Sequence, residues 1–438
     1  MTRQITALIS GASIAGPALA YWLDRYGWAC TVIERAPEFR DGGQNIDVRG
    51  AGREVLRRAG LEEAVRAATT GEVGTRFLGK GGAVVAEFPV RESESEGATA
   101  ELEILRGDLA RLLVDAGNER IEYIYGDQIT GIDDSSDGVE VTFEHAAPRR
   151  FDLVIAADGM RSSTRDLVFG SEASVRPLGM QTTYLTIPRT ETDTSWWNWY
   201  SEPGGLTVTL RPDRHGTTRA VLSSVVYGEQ VDVDARAART SAADHKARLR
   251  RQFAHVGWEA PRILAALDDS PDLYFESIGQ VTAPRWSLGR VVLAGDAAWC
   301  ASPVSGMGTS LSLVGAYVLA GELAAHVHHA DAFAGYERIM RPFVNQAQNL
   351  PPGVPKIANP RTRAGLAALH VALRAASTPS SANSPAASSG RRPTRSTCPT
   401  TATSGSEWRR QPCQLVPNPS GGGRGSPRTG LPCTPPYN

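Results

Sequence analysis

Cysteine is scarce in this chain of 438 residues: five are present, at irregular spacing. Such spacing yields neither a disulfide framework nor a metal-ligating cluster. Cys30 stands inside an apolar run, as a small core residue would. Long hydrophobic stretches are missing too. No eighteen consecutive residues are apolar, so no membrane span is expected, and the expected location is cytoplasmic. No Ser-His-Asp triad stands out. His326, His328 and His329 read as solvated side chains on the last helix of the body, and no metal is expected. Charge of one sign is lacking only on average. The formal net charge is −1, yet residues 1–355 hold 35 Lys and Arg against 46 Asp and Glu, while residues 356–438 hold eleven against the single acid Glu407. An acidic body argues against nucleic acid as a partner.

The length suggests two or three structural units with an ample core. Apolar periodicity stops near Ser377, after which Ser, Thr, Pro, Gly and Arg dominate. That composition cannot bury enough surface to offset chain entropy. It reads as a disordered basic tail, or as the product of a reading-frame shift near Ala376, since G+C-rich DNA read out of frame yields such sequence. No function is assigned to it.

What is present begins with "LISGASIAGPALAYWLDRYGWACTVIER", residues 8–35. A secretory signal is one reading, but Ser10, Gly11, Ser13, Gly16 and Pro17 break its apolar stretch. A ligand-free strand–turn–helix is another. The local pattern favours a nucleotide site. Ile5 to Ser10 suits a strand buried on both faces, Ile14 to Tyr26 has helical spacing with Gly27 to end it, and Ala29 to Ile33 reads as a second strand. Gly11 and Gly16 hold the first and third places of G-x-G-x-x-G, and Ser13 holds the second. A helix N-terminus then faces a pyrophosphate, and Glu34 stands about where an acid binds ribose hydroxyls. This motif alone leaves a methyltransferase or an NAD dehydrogenase open.

Three further segments follow. "LEILRGDLARLL", residues 102–113, reads as a helix with Arg106 near its start; alone it is an ordinary amphipathic helix. "DLVIAADGMRSSTRDLV", residues 152–168, reads as a buried strand, a turn at Asp158-Gly159, and an Arg161/Arg165 pair suited to phosphate or simply solvated. "GRVVLAGDAAWCASPVSGMGTSLSLVGAYVLAGELAA", residues 289–325, reads as a strand ending at Gly295-Asp296, a loop with Gly306 and Gly308, and a long small-residue helix. An Asp there can bond a ribityl hydroxyl. Glycines let backbone N–H groups approach a ring edge, and a helix start stabilises an anionic ring.

In this order and spacing the four segments resemble the FAD-dependent monooxygenases of the aromatic-hydroxylase class, the family of p-hydroxybenzoate hydroxylase, over about residues 4–350. "RDGGQNIDVRG", residues 40–50, looks most like the branch of tetracycline-inactivating and actinobacterial polyketide-tailoring enzymes, which points to antibiotic metabolism. The resemblance implies that Glu34 and Arg35 hold the adenosine part of FAD, that Asp47 and Arg106 contact FAD, and that Asp296 contacts the ribityl chain. It places Asp158 in a motif shared by FAD and NADPH binding and Arg40 at the nicotinamide cofactor (NADPH or NADH). Three departures stand out: Ser13 for the middle glycine, Trp299 where many members have His, and Thr309-Ser310 for a common Asn near the ring.

The implied fold is α/β: a Rossmann-like three-layer FAD-binding domain carrying an inserted antiparallel-sheet substrate domain. The expected division is 1–175 and 281–350 for FAD, 176–280 for substrate, 351–376 as a C-terminal helical segment and 377–438 as tail. Residues 180–228 alternate at period two and are rich in Thr, Trp, Tyr and Val. Sheet packing accounts for most of the aromatics, but alternation puts Trp197 and Trp199 on one face, suited to lining a flat apolar pocket for an aromatic substrate. The cofactor carries such chemistry, with NADPH and O2 as co-substrates, so no side-chain nucleophile is required and none is assigned. A monomer or homodimer is expected, without membrane contact. A flavin-dependent halogenase is an alternative, although "WNWYSEP" keeps only the tryptophan spacing of that family's motif; a non-catalytic flavin or hydrophobic-ligand binder is another. Lys80, in "GKGG", reads as a hairpin turn.

Overall fold

The computed structural model describes residues 4–90, 102–226 and 241–377. Through the first third run β1 (Thr6–Ser10), α1 (Ala15–Arg25), β2 (Ala29–Glu34), β3 (Asn45–Val48), α2 (Ala51–Ala59), α3 (Glu62–Ala67), β4 (Gly74–Leu78), β5 (Val84–Pro89), β6 (Leu102–Leu105), α4 (Arg106–Asp115) and β7 (Glu122–Tyr125). Then come β8 (Ile129–Ser135), β9 (Gly138–Phe143), β10 (Arg149–Phe151), β11 (Leu153–Ala156), α5 (Ser163–Phe169), β12 (Ser174–Pro188), β13 (Trp197–Glu202), β14 (Leu206–Pro212), β15 (Thr217–Val225), α6 (Ala242–Phe253) and α7 (Ala260–Ala265). The last elements are β16 (Tyr274–Thr282), β17 (Ser287–Leu288), β18 (Val291–Leu293), α8 (Asp296–Trp299), α9 (Gly308–Ala325), α10 (His329–Gln348), α11 (Val354–Ala358) and α12 (Arg363–Ser377).

One sheet has the order β17-β18-β11-β1-β2-β7, parallel except for β17. Its strands are continuous apolar runs because both faces are covered. Ala7, Ile9, Cys30, Val32, Leu153 and Ile155 pack with the buried side chains of α1, α9 and α10. The alternate residues Leu8, Ile33, Val154 and Val291 pack on Val139, Val141 and Phe143 of the small sheet β10-β9-β8. Period-two alternation thus builds three layers.

The second sheet has the order β16-β12-β15-β14-β13-β4-β5. Leu185, Ile187, Tyr200, Val208, Leu210, Ala220 and Leu222 face Leu249, Phe253, Ala260 and Ile263 of α6 and α7. The opposite face carries Tyr184, Trp197, Trp199 and Arg211. It meets the two-stranded ribbon β3–β6, where Asn45 Nδ2 donates to Pro212 O at 3.1 Å. This face and the C-terminal ends of the parallel strands bound the cleft described below.

The structure corrects several expectations. The second sheet is antiparallel as expected except at one pairing, where β4 runs parallel to β13; β4 and β5 come from residues 74–89, outside the expected 176–280 and far upstream of the other strands. The turn through Lys80 joins them, as read. Residues 102–113 are not one helix. Leu102–Leu105 pairs antiparallel with Asn45–Val48 and is fully buried; this distant partner overrides the helical preference of the leucines. The three histidines do not share a helix: His326 caps the end of α9 and His329 begins α10. Finally, α9 is long and apolar enough to cross a membrane by length and composition, but 72% of it is buried inside the protein. Its small residues admit close neighbours: a Cβ at Gly315 would lie 2.9 Å from the Trp299 ring.

Residues 378–438 of the expected tail lie outside the described residues. α12 packs against β5 and β13, so a truncation belongs after it. Deletion of residues 378–438 is expected to leave the melting temperature unchanged, because their composition offers no apolar face to dock. A large drop would make the tail a structural element.

Candidate cofactor and substrate site

The turn after β1 is held by backbone geometry. Gly11 has φ +104° and donates to Ile33 O at 2.7 Å. A Cβ at Gly11 would lie 2.5 Å from Ala157 O, and one at Gly16 would lie 1.9 Å from Gly11 O. Both glycines are therefore fixed by close backbone approach. Ser13 has a partner: its Oγ accepts from Arg106 Nη1 at 3.1 Å, tying the turn to the start of α4. Glu34 accepts from Ala12 N at 3.0 Å and from Ala36 N at 2.9 Å, so it braces the same turn from the end of β2. α1 begins without a side-chain cap or an acid in its first turn, which leaves its N-terminal donors available to an anion. Arg35 and Arg40 lie exposed at the rim.

The turn after β11 is organised by Asp158. It accepts from Thr164 N at 3.2 Å and Thr164 Oγ1 at 3.0 Å, and from Ser162 Oγ. Burial raises the Asp158 pKa, and these hydrogen bonds oppose the rise. The Arg161/Arg165 pair, suited by sequence to phosphate or to solvent, is split by the fold. Arg161 is exposed, whereas Arg165 is buried and donates to Met160 O at 3.0 Å and Ala297 O at 3.2 Å. One turn inside α5 its side chain points at backbone carbonyls, so Arg165 braces the site without lining it.

The turn after β18 brings in the third segment. Gly295 has φ +58° and packs on α1: a Cβ there would lie 2.9 Å from Ala15 Cβ. Asp296 opens α8 in a recess, and burial raises its pKa against the Cys300 side chain and Arg106. The loop then crosses Ser302, at φ +75°, and Gly306, at φ +63°, before α9 starts with neither a side-chain cap nor an acid in its first turn. A Cβ at Gly306 would meet nothing within 4 Å, and one at Gly308 would meet only Asp296 Oδ1 at 4.0 Å. Ser310 Oγ accepts from Arg49 N at 2.9 Å, which docks the end of β3 on α9. Trp299 is core: it is 1% exposed, with ring centroids 4.5 Å from Trp286 and 5.7 Å from Tyr336.

Across from these turns stand the ribbon and the second sheet. Asp47 Oδ2 accepts from Arg49 at 2.8 Å, while its Oδ1 is buried without a hydrogen-bond partner. Arg106 Nε is likewise buried and unmatched. Burial lowers the Arg106 pKa, with Tyr274 opposing and Arg40 assisting. Trp197 and Trp199 share a face, as alternation implied, with centroids 5.1 Å apart; Phe77 lies 5.9 Å beyond Trp199 and Phe88 5.8 Å beyond Phe77. At the other end of this wall the Arg211 guanidinium lies 4.1 Å from the Trp197 ring. Glu72, at 2.8 Å, and Glu103, at 2.7 Å, hold Arg211 in place. Burial acts to lower the Arg211 pKa, but Glu103 and Glu72 keep it above its ordinary value.

The structure thus gathers Gly11, Ser13, Gly16, Glu34, Asp47, Arg106, Asp158, Asp296, Gly306 and Gly308 around three adjacent turns. Sequence reasoning missed Arg211, Glu72, Glu103 and Phe77 on the sheet side, and Glu276 on β16. Alternation in "YFESIGQV" would have paired Tyr274 with Glu276 on one face.

Residues 4–349 match the family model described as FAD binding domain. The chain is 39% identical over 360 residues to an uncharacterized protein of Mycobacterium tuberculosis, Rv1260, covering 80% of this chain and 95% of that protein. It is 34% identical over 371 residues to the FAD-dependent monooxygenase asL4 of Sarocladium schorii, covering 79% and 86%. Among solved structures, the tetracycline destructase Tet(55) superposes with a TM-score of 0.71 at 31% identity, covering 86% of this chain and 97% of that one. The residues present fit FAD. Two uncapped helix starts suit its pyrophosphate and ring edge, the unmatched Asp47 Oδ1 and Arg106 Nε supply an acceptor and a donor, and the open side of Gly306 leaves room for a ring. The chain belongs to the FAD binding domain family and is an FAD-dependent monooxygenase of the aromatic-hydroxylase type.

Proposed function

We propose that this enzyme uses NADPH or NADH and O2 to hydroxylate an aromatic, polyketide-like small molecule in the cytoplasm. The aromatic wall from Phe88 to Trp197, ending on Arg211, carries this reading. A planar substrate stacks on such a wall, and the wall keeps water from the reacting edge. Bound FAD supplies the two-electron and oxygen chemistry that side chains lack. The protein supplies placement. Gly11, Ser13, Gly16 and the start of α1 hold the pyrophosphate; Glu34 and Arg35 hold the adenosine end; Asp296, Asp158 and Arg106 hold the ribityl region; Asp47 and the Gly306–Gly308 loop hold the ring edge. Arg40, on the rim, receives the nicotinamide cofactor. The balance is one dioxygen, one reduced nicotinamide and one proton consumed, with one oxygen atom entering the ring and the other leaving as water.

The relative Tet(55) is a tetracycline destructase, so tetracyclines and phenolic polyketides head the screen. At least one should stimulate NADPH oxidation and gain the mass of one oxygen atom. Oxidation indifferent to every candidate, with no product, would remove the reading. FAD is held by hydrogen bonds and helix ends, without a covalent link. Acid precipitation should therefore release intact FAD into the supernatant; flavin that stays with the washed pellet would contradict this.

A further inference from the structure

The loop between α8 and α9 is tied down from outside. Gln348, the last residue of α10, donates from Nε2 to Trp299 O at 3.3 Å, to Cys300 O at 3.2 Å and to Val281 O at 2.7 Å. Gln280, buried on β16, donates from Nε2 to Ala301 O at 3.3 Å and to Gln348 O at 3.0 Å. Arg176 of β12 donates to Gln280 Oε1, which fixes the way that amide points. Val281 N adds a bond to Cys300 O at 3.1 Å. The successive carbonyls of residues 299–301 are thus drawn toward β16 and the end of α10. A buried carbonyl needs a donor, and at Trp299 and Ala301 the two amides supply it.

The chain then reverses at Ser302. Its φ of +75° and ψ of 153° lie in a region that glycine alone occupies readily, and Pro303 behind it keeps ψ extended. Ser302 O accepts from Ser305 N at 3.1 Å and from Ser305 Oγ at 2.8 Å, and Ser305 Oγ accepts from Met307 N at 3.2 Å. This ladder ends at Gly308, where α9 begins and where an added Cβ would lie 4.0 Å from Asp296 Oδ1. The place of the first turn of α9 relative to Asp296 therefore depends on where the glutamines hold residues 299–301.

We propose that Gln280 and Gln348 are positioning residues for the flavin: they hold Ser302 in its strained conformation and so aim the start of α9 at the flavin ring edge. This rests on the reading that the Gly306–Gly308 loop holds that edge. Two electrons and one proton turn the neutral oxidised ring into an anion. The positive end of a helix stabilises such a charge when its donors are fixed in place beforehand. An aimed α9 therefore favours reduced over oxidised FAD, whereas a loose one favours it less. The two amides act through the backbone of residues 299–308.

The test reads the flavin midpoint potential of the holoprotein, titrated with dithionite beside a reference dye. It uses neither nicotinamide nor substrate, so its outcome is separate from that of the hydroxylation screen. Gln348→Met keeps the side-chain length and removes the donors. It should lower the potential by about 30 mV, a roughly ten-fold weaker hold on reduced relative to oxidised FAD. Gln280→Met, which releases one loop carbonyl, should shift the potential the same way by less. Thermal melts give the second readout. Ser302→Gly removes the strain and should raise the melting temperature; in a Gln348→Met background, where the loop has already relaxed, the gain should be smaller. A potential unmoved in both glutamine variants would overturn the proposal. So would a Ser302→Gly gain that is equal with and without Gln348.

Discussion

Asp296→Ala should weaken FAD binding by about ten- to a hundred-fold. Loss of one charged hydrogen-bond partner at a buried site costs about 1.5–3 kcal/mol, and each 1.4 kcal/mol is ten-fold. Asp296 stands at the end of β18, in a recess between the start of α9 and the second sheet. Arg40 offers the control, since it lies exposed on the rim and its proposed partner is the nicotinamide cofactor. Arg40→Ala should therefore leave the Kd for FAD within about three-fold, consistent with the small worth of exposed charges, and raise KM for NADPH. The readout is FAD fluorescence on dilution of each holoprotein. Equal affinity in the two variants would remove the role given to Asp296.

Gly16→Ala should lower the melting temperature sharply and strip the flavin. The new Cβ would lie 1.9 Å from Gly11 O, and both partners are backbone. No rotamer relieves that contact, so the turn or α1 must move. Overpacking of this kind typically costs about 1–3 kcal/mol and occasionally more, against a helix-propensity gain of about 1 kcal/mol for alanine over glycine. Gly308→Ala is the contrast within the same site: its nearest neighbour would be Asp296 Oδ1 at 4.0 Å. Its melting temperature should match wild type. If Gly16→Ala melts no lower than Gly308→Ala, the close approach of α1 to the turn is not structurally required.

Local motifs were legible because their geometry is local. The strand–turn–helix at Gly11 and Gly16, the Asp158 turn and the Gly295–Asp296 loop each need only a few consecutive residues, and the structure places all three side by side. Alternation also paired Trp197 with Trp199. What stayed hidden depends on partners distant in sequence. Residues 102–105 form a strand only because Asn45–Val48 lies beside them. β4 and β5 join the second sheet across more than a hundred residues. Arg165 read as a phosphate ligand or a solvated side chain until the fold set the carbonyl of Ala297 beside it. Ser13 looked like a weakened glycine, but its hydroxyl meets Arg106 from α4. Nothing local in the sequence marks Arg211; Glu72 and Glu103, two acids from other segments, make it a fixed cation against Trp197.

The central claim is that dioxygen, activated at this cleft, delivers an oxygen atom to an aromatic substrate. It is tested most directly by turnover of the purified yellow protein under isotopically labelled dioxygen, with NADPH and whichever phenolic polyketide or tetracycline stimulates NADPH oxidation. The account predicts a product heavier by one oxygen atom that carries the label from the gas. A product labelled from water, or NADPH oxidation that yields only peroxide with every candidate, would contradict it.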